Sequence, residues 1–451
     1  MLAGQINSFQ SGSSPLTLAE NRMDQRSEKA RPTSLEDIAM LSMEFGRLLM
    51  EGGASARVVD EIVQTVARGL GVERADLRIG YASLAITVGI GGEWTTRMCK
   101  VGPLGVNQRL DHAVRELAAS VGRGELTAAA ARSKLEALAQ NPPRYPGWLV
   151  DLAVGMACAS FGRLLGIDWA AVGPVFFAVA VGQWLRRQSA ARHVNVFLAA
   201  TLVAFVASAV SGLGASLLRS VTVDTAMIAS VLLLVPGVPA LNAQNDILEG
   251  HPTLGSARAV WVGVILVFVT LGICLGQVLL GLWHLAGDGS PLGASRVHFL
   301  PYLLHQTLFG ALAAVGFGVM FNIRSRALLG CAAAGALALA VRSTGQSLDW
   351  TLEGASFAAA LVVGTAVRLS HARIGASRNT LGVAGCIPMI PGGFAARAIL
   401  GLIALTRPAV QHPDQTLILA VQDALRVVLT IGAMGTGLAI PSMLLRVRRS
   451  K

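Results

Sequence analysis

Val235-Pro236-Gly237-Val238-Pro239-Ala240-Leu241-Asn242-Ala243-Gln244-Asn245-Asp246-Ile247-Leu248-Glu249-Gly250 follows an apolar run, yet it is crowded with helix breakers and polar groups. Each proline removes a backbone donor and crowds the preceding turn, and Gly237 lets the chain bend between them. Carbonyls freed in this way are tolerated at membrane depth only where protein buries them or where they line a watery cavity. With Asn242, Asn245 and Asp246 just behind the prolines, the stretch reads as part of a solute path. A second break, Ile387-Pro388-Met389-Ile390-Pro391-Gly392-Gly393, repeats the Pro-x-x-Pro spacing downstream. Two interrupted apolar segments in corresponding halves point to a transporter's central site.

Composition agrees with a membrane setting. Of 451 residues, 53% are hydrophobic and only 14% are charged, with a mean hydropathy of +0.58. That is too apolar for an ordinary soluble protein. The net charge of +11 lies between apolar runs and at the C-terminus without interleaved aromatics, which argues for topology signals and against nucleic acid as a partner. The five cysteines, Cys99, Cys158, Cys274, Cys331 and Cys386, are widely spaced and read as core residues, with no metal site and no cofactor implied.

Residues 1–33 are polar and lack the apolar core of a signal peptide or a span, so a disordered leader is expected. Residues 34–146 read as a small cytoplasmic α/β domain. Ile38, Leu41, Phe45, Leu48 and Leu49, then Val58, Ile62, Val66 and Leu70, recur at helical steps on either side of Gly52-Gly53. Ser34 with Asp37 has capping-box spacing, and Asp76 to Cys99 alternates as a strand hairpin should. Neither Gly52-Gly53 nor Gly89-Ile90-Gly91-Gly92 matches a phosphate-binding loop. Asp60-Glu61 and Asp111-His112 occupy polar positions of amphipathic helices, and no nucleophile–base pair or metal cluster has usable spacing, so an enzyme is not expected.

Beyond Pro146 ten apolar runs are counted, at 148–166, 169–185, 194–218, 223–247, 258–286, 298–321, 327–341, 350–367, 380–405 and 415–445. The fold class expected is therefore a polytopic α-helical membrane protein. The breaks fall in runs four and nine, an odd separation of five, so residues 147–290 and 291–451 are expected to form two inverted five-helix repeats. Placing the front domain inside puts Arg186, Arg187, Arg192, Arg258, Arg324, Arg326, Arg368, Arg373, Arg378, Arg446, Arg448, Arg449 and Lys451 in inner loops or the inner tail. Arg219, Arg296, Arg342 and Arg407 fall in outer loops, with Arg163 near an outer end. This asymmetry orients both termini to the cytoplasm. Gly162-x-x-x-Gly166 and Gly272-x-x-x-Gly276 have helix-contact spacing.

Leu48-Leu49-Met50-Glu51-Gly52-Gly53-Ala54-Ser55-Ala56-Arg57, the stretch 235–250 and Ile387-Pro388-Met389-Ile390-Pro391-Gly392 together resemble the threonine/serine exporter family, over about 35–445. The resemblance implies a secondary transporter of the cytoplasmic (inner) membrane, an antiporter that exports threonine, serine or related small amino acids on the proton motive force. It also implies that two halves found as separate chains in some members are fused here. The partners it implies are that solute, protons and the lipid bilayer, and a homo-oligomer is left open.

Several ionisable residues lie in apolar surroundings. Asp246 is the first candidate for a proton-coupling carboxylate, against a reading in which it caps a helix or faces water. Glu353 and Asp423 are the remaining acids within the later runs, and Asp423 sits three residues from Arg426, where the two can pair. Arg397 is a candidate anion site for a substrate carboxylate, against a structural pairing with an acid elsewhere. Asn242 and Asn245 would contact substrate or satisfy freed carbonyls, and His305 would relay protons or fill a core site. The substrate-binding or helix-break set is thus Pro236, Gly237, Pro239, Asn242, Asn245, Pro388, Pro391, Gly392 and Arg397. A membrane-anchored sensor or scaffold, whose front domain binds a ligand without transport, is the alternative.

Overall fold

The computed structural model describes residues 34–281, 299–374, 378–406 and 412–447. The leader 1–33, the 290/291 boundary between halves, and Arg296, Arg407, Arg448, Arg449 and Lys451 lie outside the described residues.

The front of the chain builds a sheet with helices over it. Ser34 Oγ accepts from the Asp37 N–H at 3.1 Å and starts α1 (Leu35–Glu51); α2 (Ala56–Gly69) follows the Gly52-Gly53 turn. Strands β1 (Arg74–Ile79), β2 (Ser83–Ile90) and β3 (Glu93–Lys100) form an antiparallel sheet in that order. The expected hairpin is thus extended by β3, whose alternation is masked because Met98 and Trp94 face outward. Ile90 pairs with Glu93 across Gly91 and Gly92, at φ 57° and 90°, the positive angles that a two-residue hairpin turn requires. Helices α3 (Gln108–Gly122) and α4 (Ala128–Gln140) complete this part. Its own apolar core includes Phe45, Leu49, Val59, Val63, Leu84, Ile86 and Val114.

The remaining helices are α5 (Gly147–Leu164), α6 (Trp169–Ala191), α7 (Val196–Leu217), α8 (Val223–Ser230), α9 (Gly237–Leu248), α10 (Pro252–Leu279), α11 (Phe299–Met320), α12 (Ser325–Ser347), α13 (Leu352–Ile374), α14 (Arg378–Cys386), α15 (Gly392–Ala404) and α16 (Pro413–Val447). Six of them, α7, α10, α11, α12, α13 and α16, are long and apolar enough to cross a membrane. The pairs α8–α9 and α14–α15 raise the number to eight among the described residues if each bent pair counts as one span. Leu198, Leu202, Leu271, Leu275, Leu425 and Val428 are large apolar residues left exposed on these helices, as a lipid-facing surface requires. One apolar core joins the early helices to the late ones, from Val154 and Val179 to Leu381 and Met434. Cys158, Cys274, Cys331 and Cys386 are buried.

Several charges assigned to loops belong to helices. Arg186 and Arg187 lie in the last turns of α6, Arg258 lies within α10, Arg368 and Arg373 lie within α13, and α14 begins at Arg378. Arg342 lies within α12, which runs past the apolar stretch 327–341, and its Nη1 donates to Met389 O at 3.2 Å, satisfying a carbonyl beside the second break. The two glycine spacings also differ in use. A Cβ on Gly272 would clash with Thr201 O and one on Gly276 with Ser208, so both let α10 approach α7. Gly166, at φ 93°, instead ends α5, with the Ile167 N–H donating back to Gly162 O at 3.0 Å.

Candidate functional site

The two breaks share one local geometry. Each has a short 3₁₀ turn, Leu232–Leu234 or Ile387–Met389, then an extended residue, then a proline that begins the next helix. Pro236 has φ −80° and ψ 65°, and Pro391 has φ −79° and ψ 49°. Across them the Gly237 N–H donates to Val235 O and the Gly392 N–H to Ile390 O, both at 2.8 Å. These are inverse γ-turns, a conformation for which proline's fixed φ is preset. The helices on either side bend by 59° at the first break and 44° at the second.

This geometry corrects the alignment of the halves. Pro236 corresponds to Pro391, not to Pro388, so the matching Pro-x-x-Pro spacings are out of register by three residues. Pro388 sits inside the 3₁₀ turn, and Pro239 lies in the first turn of α9, where its missing N–H has no helical partner to lose. In the corrected register Arg397 takes the place of Asn242. The breaks also meet reciprocally: a Cβ on Gly237 would strike Ile390, and one on Gly392 would lie 3.0 Å from Leu232 and 3.1 Å from Val235.

A cavity of about 800 Å³ opens beside this crossing. Pro236, Gly237, Pro239 and Asn242 line it from the first break, and Ile387, Ile390 and Gly392 from the second. Gln183, Arg186, Arg187 and His193 contribute from α6 and the turn after it, and Arg258 and Trp261 from α10. Sequence reading missed these six, having taken the arginines as loop charges. Only their position within helical runs could have signalled otherwise. The front part closes one side with Gly53, Tyr81 and the loop Pro103–Val106.

Asp246 lies outside this lining. It is fully buried, with Arg258 only 3% exposed beside it, and the Arg258 Nη1 donates to Asp246 Oδ2. Its other oxygen accepts from the Ala56 N–H at 2.9 Å. Ala56 opens α2, whose N-cap Ser55 makes no side-chain cap, so Asp246 supplies the negative group that this helix end lacks. Three more contacts follow the same seam: Arg258 Nη2 donates to Ala54 O at 3.2 Å, Asn242 Nδ2 donates to Gly53 O at 2.9 Å, and Arg57 pairs with Glu249 at 2.8 Å. Gly53 adopts φ 90°, and a Cβ there would lie 2.6 Å from Gly105 O, so glycine is needed at this turn. The segments 48–57 and 235–250, distant in sequence, are therefore two sides of one joint.

A second joint forms at the α11–α12 turn. The Gln108 N–H donates to Phe321 O at 3.0 Å, Asn322 Oδ1 accepts from the Tyr145 N–H at 3.0 Å, and the Tyr145 hydroxyl donates to Ile323 O at 2.8 Å.

The other candidates scatter. Asn245 lines a smaller pocket of about 100 Å³ that Gly53 and Asn242 also line. Arg397 pairs with Asp423 at 3.0 Å, between α15 and α16, and stacks over Phe394; it does not line the large cavity. Asp423 therefore pairs with Arg397 and not with Arg426, which also packs on Phe394. Glu353 is half-buried in the first turn of α13, where its charge acts on Arg342. His305 is half-buried; its Nε2 lies 3.2 Å from Arg163 Nη2 and its ring packs on Phe309. No group of three metal-ligating side chains occurs among the described residues.

Apolar spanning helices, two facing breaks and a cavity beside them define a polytopic α-helical membrane protein of the transporter class. Residues 40–280 match the family model ThrE, described as "Putative threonine/serine exporter", and residues 306–444 match a second one described as "Threonine/Serine exporter, ThrE". The chain belongs to the threonine/serine exporter family, with both of its parts in one polypeptide. Over 252 residues it is 33% identical to the "Probable succinate transporter subunit YjjP" of Escherichia coli K12, covering 55% of this chain and 96% of that protein. The Klebsiella aerogenes protein of the same name is also 33% identical, over 55% of this chain and 95% of its own length. No solved structure matches.

Proposed function

We propose that the chain is a secondary transporter that exports a small carboxylate-bearing solute across the cytoplasmic membrane, coupled to protons, through the cavity at the two breaks. The family name supports threonine- and serine-like amino acids as the solute, and the name of the relatives adds a dicarboxylate. The observation that carries the reading is the 800 Å³ cavity bounded by both helix breaks, with uncapped backbone and several cationic side chains on its wall. The two proline turns, alike in geometry and packed reciprocally, support inverted halves. Counterflow in proteoliposomes tests the function: at least one of L-threonine, L-serine and succinate should exchange. Exchange of none by folded, reconstituted protein would sink the proposal.

Contacts of the front part support a topology with both termini inside. It touches the α9–α10 region at Asp246, Glu249 and Arg258 and the α11–α12 turn at 321–323, which simple alternation puts on one side. A cysteine at the exposed Asp349, in the α12–α13 turn, should react with an impermeant reagent added outside, and one at Ala190 should not. The reverse labelling pattern would overturn this orientation.

For proton coupling the acids differ in setting. Asp246 and Asp423 hold arginine partners, whereas Glu353 makes no ion pair or side-chain hydrogen bond among the described residues. The reading as a sensor draws on the joint between the front part and α9; under it, changes at Pro236 would leave activity intact.

A further inference from the structure

The charge on the cavity wall is unbalanced. Among the described residues Arg186, Arg187, Arg258 and His193 line it and no aspartate or glutamate does. Two of the arginines are neutralised from behind. Arg187 Nε donates to Asp151 Oδ1 at 2.9 Å, and Arg258 is held by Asp246. Arg186, one residue from Arg187, has no ion pair or hydrogen bond among the described residues. Three residues earlier, on the same face of α6, Gln183 is 6% exposed, and its Oε1 is buried without a hydrogen-bond partner. A buried amide oxygen left unpaired carries a desolvation cost that a bound donor would remove.

Resting on the transport reading above, we infer that Gln183 and Arg186 form the ligand-binding subsite of the cavity, and that it takes a small organic acid of net negative charge. The Arg186 guanidinium offers a planar fork to one carboxylate. Gln183 Oε1 accepts from a hydroxyl beside that carboxylate. A second carboxylate of the same ligand lies along the same wall, where no lining acid among the described residues opposes it. A zwitterionic amino acid fits this wall less well, because no lining acid among the described residues meets its ammonium group.

Binding to the purified full chain tests this without requiring transport. Affinities for succinate, L-malate and L-threonine are measured by calorimetry on wild type, Arg186→Gln, Arg186→Lys, Gln183→Leu and, as a control just beyond α6, Arg192→Gln. The two dicarboxylates should bind more tightly than L-threonine. Arg186→Gln should weaken them roughly ten- to a hundredfold, the span expected for losing a hydrogen bond to a charged group. Arg186→Lys should recover part of that loss, Arg192→Gln should match wild type, and Gln183→Leu should weaken L-malate more than succinate. Unliganded melting temperatures establish that each variant is folded; should Arg186→Gln fail to fold, Arg186→Lys and Gln183→Leu carry the test. The assignment is overturned by wild-type affinity in folded Arg186→Gln, by tighter binding of L-threonine, or by no binding of any probe to wild type. Binding in this order without counterflow would sink transport and leave the subsite standing. Counterflow indifferent to Arg186→Gln would do the opposite.

Discussion

Asp246→Asn is expected to loosen the front part from α9 and to abolish solute exchange and gradient-driven export together. The substitution keeps size but removes the charge that faces Arg258, a side chain only 3% exposed. Breaking a buried ion pair from one side costs about 3–5 kcal/mol, because the other charge stays buried without compensation. The Ala56 N–H at the start of α2 loses its anionic acceptor in the same step. Thermal unfolding and limited proteolysis should both show the loss. Asp246→Asn combined with Arg258→Gln should recover much of the stability, since no lone charge remains and the two effects are coupled. A proton carrier at Asp246 would behave differently: Asp246→Asn would then be stable, exchange would persist, and only uphill export would fail. Measuring both activities in the same vesicles separates the two outcomes.

The second large effect concerns the register of the prolines. Pro236→Ala with Pro391→Ala should lower transport by roughly tenfold or more, a change of about 1.4 kcal/mol in the path, because both inverse γ-turns lose the residue that presets φ. Pro239→Ala with Pro388→Ala should leave transport within about twofold, since neither proline forms a γ-turn and the first turn of a helix accepts other residues readily. Transport rates normalised to reconstituted protein decide between them. If the Pro239/Pro388 pair is the more damaging, the correspondence of Pro236 with Pro391 is wrong.

Much of the architecture was legible because its causes are local or periodic. Apolar runs located the helices, since a membrane-crossing segment must be apolar along its whole length. Prolines and glycines located both breaks, and the apolar pattern before residue 146 located the helices and sheet of the front part. The ends of helices were less legible. Arg186, Arg187 and Arg342 looked like loop charges because a sequence shows that a charge is present but not which carbonyl, carboxylate or cavity receives it. Arg342 lies within α12, and its hydrogen bond goes to Met389 O, 47 residues away.

By itself, then, the sequence determined a helical membrane protein with an α/β front part, two proline breaks and a family resemblance that the comparisons bear out. Tertiary structure alone decided which partners those residues have. Asp246 had the signature of a titrating acid, and folding gives it Arg258 and the first N–H of α2. Asp423 had Arg426 three residues away, and folding gives it Arg397 from another helix. Gly53 and Asn242 bond across 189 residues of chain. Charge and hydrogen-bond energies fall off within a few ångströms, so they are fixed by distances that only the packed helices create.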